Sequence, residues 1–375
     1  MSQAGASHGC GLDLALMRRC SQILALIGCL PAALFAAGLE DSEAFLRARQ
    51  ALADGLPEVA AVKAGRLLQN KAWTKDEVRT LATFAAEAWI RTGKAVEVLA
   101  LADAHELDEE SFWRAQALVL ERRLAEAREE LTSGAGELRP RARLLLGQVL
   151  FSLGEHEAAH DEVESLLTEA DAGLRRHATL LLAEIELNTG KAPAALQRLD
   201  AMNDPADATA GLIRARCLMF TDRLPEARQV LEAVLKLSSG GVPAQDAAAV
   251  SLAEIWMREN QPQKAVEHLV KMLDASVQSE WWSQAFDTLH RAWSALPEPR
   301  DMPEAVMRWA GQGSKAQQVP QPSSLLLAAT AEFRGHAELL IARWLQAGKR
   351  PLEAAGMLEG FIRLHPDHPR LSAAL

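Results

Sequence analysis

The sequence predicts an all-α protein, a right-handed α-solenoid of helix-turn-helix repeats, and three observations support this fold class. Alanine and leucine dominate a chain that contains no tyrosine and is 49% hydrophobic and 24% charged. This composition suits folded helices better than strands. Small residues also recur in a fixed register along much of the chain. Glycine stands between successive apolar stretches, where a tight turn requires it.

Five segments share one register of small and apolar residues. The reference alanines are Ala159, Ala195, Ala227, Ala265 and Ala354. Twelve residues before each of them stands a small residue, namely Gly147, Ala183, Ala215, Ala253 or Ala342. Four residues after each stands a larger apolar residue, namely Val163, Leu199, Leu231, Leu269 or Leu358. The first four of these alanines are 36, 32 and 38 residues apart, a period typical of α-solenoids with two helices per unit.

The small positions have a packing explanation. Two helices cross at close range only where glycine, alanine or serine lets the backbones approach. Gly154 and Gly190 lie five residues before their reference alanines and mark the turn between two helices. A single unit cannot bury its apolar face, so the units must stack. We therefore predict that Ala195 and Ala227 are close-packed residues at helix crossings.

The five segments resemble the tetratricopeptide repeat (TPR). The resemblance lies in the stretches LLLGQVLFSLGEHEAAHDEVESLL, LLLAEIELNTGKAPAALQRL, GLIRARCLMFTDRLPEARQVLEAVL, VSLAEIWMRENQPQKAVEHLVKML and LLIARWLQAGKRPLEAAGMLEGFIRLHP. The last stretch supplies Pro366, which matches the proline that ends a repeat in that family. Weaker copies lie around residues 55–60, 93–98, 115–127 and 281–312. The resemblance implies a helical solenoid whose inner surface forms a groove for protein segments.

The first 38 residues predict a secretory signal peptide. Arg18 and Arg19 precede an uncharged apolar run, Ile23–Ala37, which ends in small residues. A positive head, a short apolar middle and a small-residue end are typical of such leaders. The run is shorter than the roughly 20 residues that span a bilayer. We expect export to the periplasm. The alternatives are a buried N-terminal core helix and a lipid-anchored form through Cys29.

The predicted domain order is a signal peptide at 1–38, a repeat array at 39–311, a loop or hinge at 312–323 and a terminal TPR-like segment at 324–375. The loop assignment comes from GQGSKAQQVPQPSS, which is rich in Gly, Gln, Ser and Pro.

The end of the sequence resembles the start of a further first helix, from Asp367 onward. Without a polar capping helix, the last unit would leave an apolar face uncovered. The residues concerned are Met357, Leu358, Phe361 and Ile362. We expect that the chain is the N-terminal part of a longer protein, or that a partner or self-association covers this end.

Charge and cysteine content exclude several classes of function. The net charge is −10 and there is no basic block, which argues against a nucleic-acid partner. No Gly-rich phosphate loop and no Gly-x-Ser-x-Gly motif is present, so we expect no cofactor. Cys10, Cys20 and Cys29 lie in or before the leader, and removal of the leader would leave Cys217 alone. We predict that Cys217 is an inert buried thiol. We also expect that no transmembrane span remains after signal cleavage.

One stretch, HEAAH at residues 156–160, has the spelling of a zinc-protease helix. In an enzyme His156 and His160 would ligate zinc and Glu157 would activate water. However, the repeat register already accounts for Ala159 as a packing residue. The histidines also lie just after Gly154, in the first turn of a helix. Asp161 and Glu162 follow them where zinc proteases carry an uncharged and then an apolar residue. We therefore predict no catalytic metal.

The TPR resemblance also assigns a candidate groove to the first helix of each repeat. One row of exposed positions would be Gln148, Glu184, Arg216 and Glu254. One helical turn further on, a second row would be Phe151, Leu187, Met219 and Met257. An apolar stripe beside a mixed polar row suits an extended or helical protein segment. The alternative is that this stripe packs against neighbouring helices.

We interpret the chain as a non-enzymatic protein–protein interaction scaffold of the bacterial cell envelope that binds a protein segment in the concave groove. One alternative is a zinc-dependent hydrolase centred on HEAAH. Another is a carbohydrate- or peptidoglycan-binding module, which would need a row of exposed aromatic residues. The register places the tryptophans in helix cores instead.

Overall fold

The structure is a computed structural model that describes residues 38–70, 72–133, 139–169, 171–237, 241–276, 278–297, 303–312 and 324–374. These residues form eighteen α-helices, joined by turns and short 3-10 segments, and contain no β-strand. The predicted signal peptide up to Ala37 and residues 313–323 of the predicted loop lie outside the described ranges.

The chain divides into two compact units, Met1–Ala135 and Gly136–Leu375. The described part of the first unit begins with a 3-10 turn, Leu39–Asp41. Six helices follow as three helical hairpins: α1 (Glu43–Ala53) with α2 (Pro57–Leu68), α3 (Lys75–Arg91) with α4 (Ala95–Ala104), and α5 (Glu110–Leu120) with α6 (Leu124–Thr132).

The second unit contains twelve described helices in six hairpins. Their bounds are α7 (Pro140–Ser152) with α8 (His156–Glu164), α9 (Ala172–Asn188) with α10 (Ala192–Met202), α11 (Ala208–Phe220) with α12 (Leu224–Val234), α13 (Gly241–Arg258) with α14 (Pro262–Ala275), α15 (Trp282–Ser294) with α16 (Glu304–Gln312), and α17 (Ser324–Ala347) with α18 (Pro351–Leu364). Each of the nine hairpins in the described chain matches one predicted repeat, the four weaker copies included.

The hairpin turns share one backbone geometry. Each of the eight hairpin turns that the structure describes in full contains a residue in the left-handed conformation, namely Gly55, Gly93, Arg122, Gly154, Gly190, Asp222, Asn260 or Lys349. In each, the next residue donates its amide to the carbonyl five positions earlier, as Glu155 does to Leu150 at 2.9 Å. This is the Schellman hydrogen bond that ends a helix. The turns that carry glycine were recognisable in the sequence, whereas Arg122 and Lys349 adopt a conformation that such side chains rarely take.

The predicted small positions are buried at helix crossings. Ala159, Ala195 and Ala227 are each 0% exposed. A Cβ added at Gly147 would lie 2.2 Å from Cγ2 of Val163, closer than any real contact. The repeat register is therefore confirmed as a packing register, in which the first helix of each hairpin meets its second helix over residues without bulk.

Two parts of the prediction for the C-terminal end were wrong, namely the further first helix and the exposure of Phe361. Residues after 366 do not start another first helix; they form turns and a short 3-10 helix, Leu371–Ala373. Pro369 lacks an amide and disfavours a helical conformation at His368, so the chain turns back. Phe361, which we expected to be uncovered, is 0% exposed. Its ring centroid lies 5.3 Å from that of His365 and 5.0 Å from that of His368.

Candidate functional site

The first helices of the second unit pack side by side in series. Each of α7, α9, α11, α13 and α15 contacts the first helix of the next hairpin, ending with α17. A row of polar side chains on these first helices stays exposed or half-buried. We call this surface the first-helix face. It carries the predicted row Gln148, Glu184, Arg216 and Glu254.

The structure leaves the predicted polar row accessible and joins two of its members. Gln148 and Arg216 are exposed, while Glu184 and Glu254 are half-buried. The guanidinium of Arg216 on α11 donates to Oε1 of Glu184 on α9 at 3.3 Å. Glu254 is not part of that pair, because its Oε1 accepts from Arg291 on α15 at 3.4 Å.

Three ion pairs with one arrangement bridge successive first helices. They are Glu184–Arg216 at 3.3 Å, Glu254–Arg291 at 3.4 Å and Asp287–Arg343 at 3.2 Å. In every pair the carboxylate lies on the earlier helix and the arginine on the later one. We call these three pairs the ion-pair ladder. Exposed pairs of this kind contribute only about 0–1 kcal/mol each, so they can be exchanged for other charged contacts at low cost.

The ladder borders an open pocket of about 490 Å³ between α13, α15 and α17. Its lining is polar and consists of Glu254, Gln284, Asp287, Thr288, His290, Arg291 and Arg343. Arg291 also donates to Oγ1 of Thr288 at 2.9 Å. Burial and the neighbouring Arg343 lower the pKa of His290, so its imidazole is neutral near pH 7. The pocket thus offers two guanidinium groups and two carboxylates to a ligand of mixed charge.

Sequence reasoning missed three of the four charged residues of this pocket. Arg343 follows Ala342 as Glu254 follows Ala253, so the register could have found it. Asp287 and Arg291 belong to the loose repeat at 281–312, which lacks an aligned alanine, and no spacing rule points to them.

The second predicted row lies mostly inside the repeat packing. Leu187 and Met219 are each 7% exposed and belong to the hydrophobic cores between helices. Phe151 and Met257 are half-buried, and the Phe151 ring lies 5.4 Å from that of His156. At Leu187 and Met219 the structure matches the packing alternative for the stripe.

The HEAAH stretch forms the first turns of α8, which begins at His156. His156, Glu157 and His160 line a pocket of about 220 Å³ together with Lys191, whose ammonium would oppose a bound cation. The Nδ1 atom of His160 lies 3.9 Å from Glu164. Across the described residues, no three His, Cys, Asp or Glu side chains are placed to hold a metal ion.

The tryptophans and Cys217 behave as core residues. Four tryptophans are buried, Trp113, Trp282, Trp293 and Trp309, and the other five are half-buried. They do not form the exposed aromatic row that a carbohydrate-binding module would need. Cys217 is fully buried, and burial raises the pKa of its thiol to about 11. A thiol of such high pKa is a weak nucleophile at neutral pH.

Among the described helices, none combines the length and the apolar character that crossing a membrane demands.

Comparison with known proteins finds similarity at the level of structure only. No family model matches the chain, and no curated protein matches its sequence. The chain is similar to the apo form of the quorum sensor NprR from B. thuringiensis, with a TM-score of 0.52 and 11% identity over 86% of this chain and 97% of that one. It is similar to the apo form of RapI, with a TM-score of 0.50, 11% identity and the same coverage.

A tetratricopeptide repeat protein from Parabacteroides merdae is also similar, with a TM-score of 0.41 and 13% identity over 79% of this chain and 97% of that one. Because NprR and RapI share only 11% sequence identity with this chain, their structural similarity establishes the fold alone. Together with the nine hairpins in one packing register, it shows that the chain is an all-α, TPR-like helical solenoid.

Proposed function

We propose that this protein is an exported, non-enzymatic scaffold of the bacterial cell envelope that binds a protein segment on the first-helix face of its second unit. This proposal rests on the ion-pair ladder and the pocket beside it. Helical-repeat solenoids commonly present the first helices of their units to partners.

The ladder favours a protein segment over a small metabolite. Charged groups are spread along successive helices from Glu184 to Arg343, a surface longer than one small ligand needs. The arginines of the pocket are already oriented by their carboxylates, so they lose little side-chain entropy when a partner replaces those contacts. A segment that carries both acidic and basic side chains therefore fits this face best.

Export is supported by the residues before the first described helix. Arg18 and Arg19 followed by the run Ile23–Ala37 have the composition of a secretory leader. N-terminal sequencing of the protein recovered from cells tests this part. We expect a mature end near Ala37 or Gly38; a chain that still begins at Met1 or Met17 would contradict export.

Site-specific photo-crosslinking in the native cell tests the binding face. A photo-reactive amino acid replaces Gln284, which is exposed in the pocket, or Gln229, which is exposed on the second helix α12. We expect one discrete crosslinked protein at position 284 and none at 229. Equal crosslinking at both positions, or none at position 284, would contradict the assignment of this face.

A further inference from the structure

The C-terminal segment carries an unusual concentration of imidazoles. His365 and His368 follow α18, and His336 lies on α17 beneath them. Ring centroids are 4.5 Å apart for His336 and His368, and 6.2 Å apart for His365 and His368. All three side chains are buried, His336 being 4% exposed. Neither the repeat packing nor the proposed binding face requires such a cluster.

The segment 365–370 is held against α15 and α17 by specific polar contacts. His365 Nε2 contacts Oε2 of Glu338 at 3.2 Å, and Arg370 donates to Oγ of Ser283 at 2.8 Å. The guanidinium of Arg370 also pairs with Oδ2 of Asp287, whose Oδ1 pairs with Arg343 in the ion-pair ladder. We call residues 365–370 the C-terminal latch.

The hydrogen bonds of His368 require a neutral ring. Its Nδ1 accepts the backbone amide of Arg370 at 3.0 Å, so that nitrogen carries no proton. Its Nε2 lies 3.0 Å from the carbonyl of Glu332 and must therefore be the donor. A proton added at Nδ1 would face the amide hydrogen of Arg370 and break the contact that turns the chain back.

His336 is likewise placed for a neutral ring. It stacks on Phe286 with a centroid distance of 5.3 Å and an interplanar angle of 13°. Its Nε2 is buried without a hydrogen-bond partner, 3.8 Å from Oε1 of Glu332. Burial, with help from His368 and Arg370, lowers the pKa of His336 to about 3, and burial also lowers the pKa of His368.

We propose that the C-terminal latch is an acid-sensitive switch that is closed when His336 and His368 are neutral and opens when they take up protons. A charged pair of imidazoles would lie edge to face in a buried space beside the Arg370 guanidinium. The open state solvates both rings and separates them, so acid favours it.

The other charges around the cluster set the pH window. Asp287 on α15 and Glu332 on α17 attract a charged His336, while Arg343 on α17 repels it. Burial raises the pKa of Glu332, so this carboxylate takes up a proton in the closed state and opposes opening at lower pH. Glu338 on α17 contacts both Arg334, at 2.7 Å, and His365, at 3.2 Å. We therefore assign the switch to His336 and His368, and expect opening to increase as the pH falls below about 6.5.

The dependence of latch opening on pH follows from the difference in proton binding between the open and closed states. In the closed state the pKa of His336 is about 3, and in the open state it returns to the ordinary value of about 6.5. Between those values the open state binds more protons, so its population rises as pH falls. From pH 7.5 to pH 5.5 the ratio of open to closed latch rises about tenfold from His336 alone. His368 acts in the same direction.

Opening would also change the proposed binding face, a consequence that rests on the proposed function. Asp287 would lose Arg370 as a partner and keep only Arg343. The pocket between α13, α15 and α17 would then gain an available carboxylate in acid.

Hydrogen exchange of the full chain, followed by mass spectrometry, tests the switch without any partner. Protection of peptides covering 361–374 is compared at pH 7.5 and 5.5 after correction for intrinsic exchange rates, with α10 as an internal reference. We expect at least a tenfold loss of protection in this segment at pH 5.5 and no change in α10. Equal corrected protection at both pH values would overturn the proposal, whatever the fate of the proposed binding face.

Two substitutions that remove one titrating ring each are the matched tests. His336→Phe keeps the stacking on Phe286, and His368→Gln keeps a donor toward the Glu332 carbonyl. Each should reduce the pH response of the segment, whereas His177→Gln, at an exposed histidine of α9, should leave it intact. An undiminished response in both variants would overturn the proposal. If one variant does not fold, the other decides.

A third substitution opens the latch without acid. A Cβ at Gly335 would lie 2.5 Å from Cδ2 of His368 and 3.0 Å from Cε2 of Phe361. Gly335→Ala should therefore remove the protection of the segment at pH 7.5 as well as at 5.5. Gly356→Ala, at a helical glycine of α18 with no atom within 4 Å, is its control. Full protection in Gly335→Ala at pH 7.5 would contradict the packing on which the switch depends.

Discussion

Replacing Gly147 by alanine probes the packing register at its tightest point. The new methyl group would lie 2.2 Å from Cγ2 of Val163 and 3.6 Å from Cδ2 of Leu181. Val163 is 0% exposed, so its side chain cannot rotate into solvent to make room. The two helices α7 and α8 would have to move apart, although alanine is otherwise the better helix former.

The change in the free energy of unfolding for Gly147→Ala is the difference between two opposing contributions. Overpacking a well-filled core costs about 1–3 kcal/mol, and the absence of free space at Gly147 places this site at the upper end. Alanine in place of glycine inside a helix returns about 1 kcal/mol. We therefore expect Gly147→Ala to lower the free energy of unfolding by about 2 kcal/mol.

A second substitution should relieve the clash. Val163→Ala removes Cγ2 and on its own should cost about 2–3 kcal/mol, through lost burial and a cavity. In the double variant the new methyl occupies part of that cavity. The destabilisation of the double variant should therefore fall short of the sum of the single effects by at least about 2 kcal/mol.

Urea unfolding, monitored by far-UV circular dichroism, measures the free energy of unfolding of the wild type, the two single variants and the double variant. These four proteins form a double-mutant cycle. Gly356→Ala serves as the control, because no atom lies within 4 Å of the added Cβ; it should stabilise the protein by about 0.5–1 kcal/mol. Additive single effects in the cycle, or a stabilised Gly147→Ala variant, would refute the claim that the repeat register is set by close helix crossings.

Three further predictions concern the packing alanines, the HEAAH stretch and Cys217. Ala195→Leu and Ala227→Leu should each lower stability by about 1–3 kcal/mol, because both sites are fully buried; unchanged melting curves for both would contradict the register. Purified protein should bind no stoichiometric zinc, and metal analysis that finds zinc lost in a His156→Ala, His160→Ala double variant would reverse this expectation. Cys217 should react with a thiol reagent at pH 8 only after denaturation, since burial raises its pKa to about 11; rapid modification of the native protein would be inconsistent with its position.

The sequence was sufficient for the fold because packing at helix crossings leaves a periodic trace. The small residues from Gly147 to Ala354 recur at fixed offsets, and the structure buries them where two helices meet. Glycine marked half of the left-handed turn residues. The others, such as Arg122 and Lys349, could not be recognised, because residues with side chains rarely adopt this backbone conformation.

The candidate site was predictable only where it follows the repeat register. Glu184 and Arg216 were placed on one face and pair across two helices. Asp287 and Arg291 are brought to the same face by a repeat that lacks the aligned alanine, so their position depends on tertiary packing. Leu187 and Met219 show the converse: the register fixed their spacing, but packing in the hydrophobic cores between helices buries them.

The C-terminal error has a local cause. The residues after Pro366 have the composition of a first helix, yet Pro369 prevents one from forming. The chain then turns back, and His368 packs on Phe361. Side-chain contacts of this kind between residues distant in sequence, such as His368 with Gly335, leave no periodic pattern from which they could be inferred.

The affinity of a crosslinked partner for variants of the ion-pair ladder tests the central claim most directly. Binding is measured with purified proteins for the wild type, for the double variant Arg291→Gln, Arg343→Gln, and for Arg223→Gln. The last removes an exposed arginine that pairs with Glu226 just before α12. If the first-helix face binds the partner, the double variant should bind at least tenfold more weakly, about 1.4 kcal/mol, while Arg223→Gln binds like the wild type. Equal affinity for all three proteins would contradict the assignment of this face as the binding site.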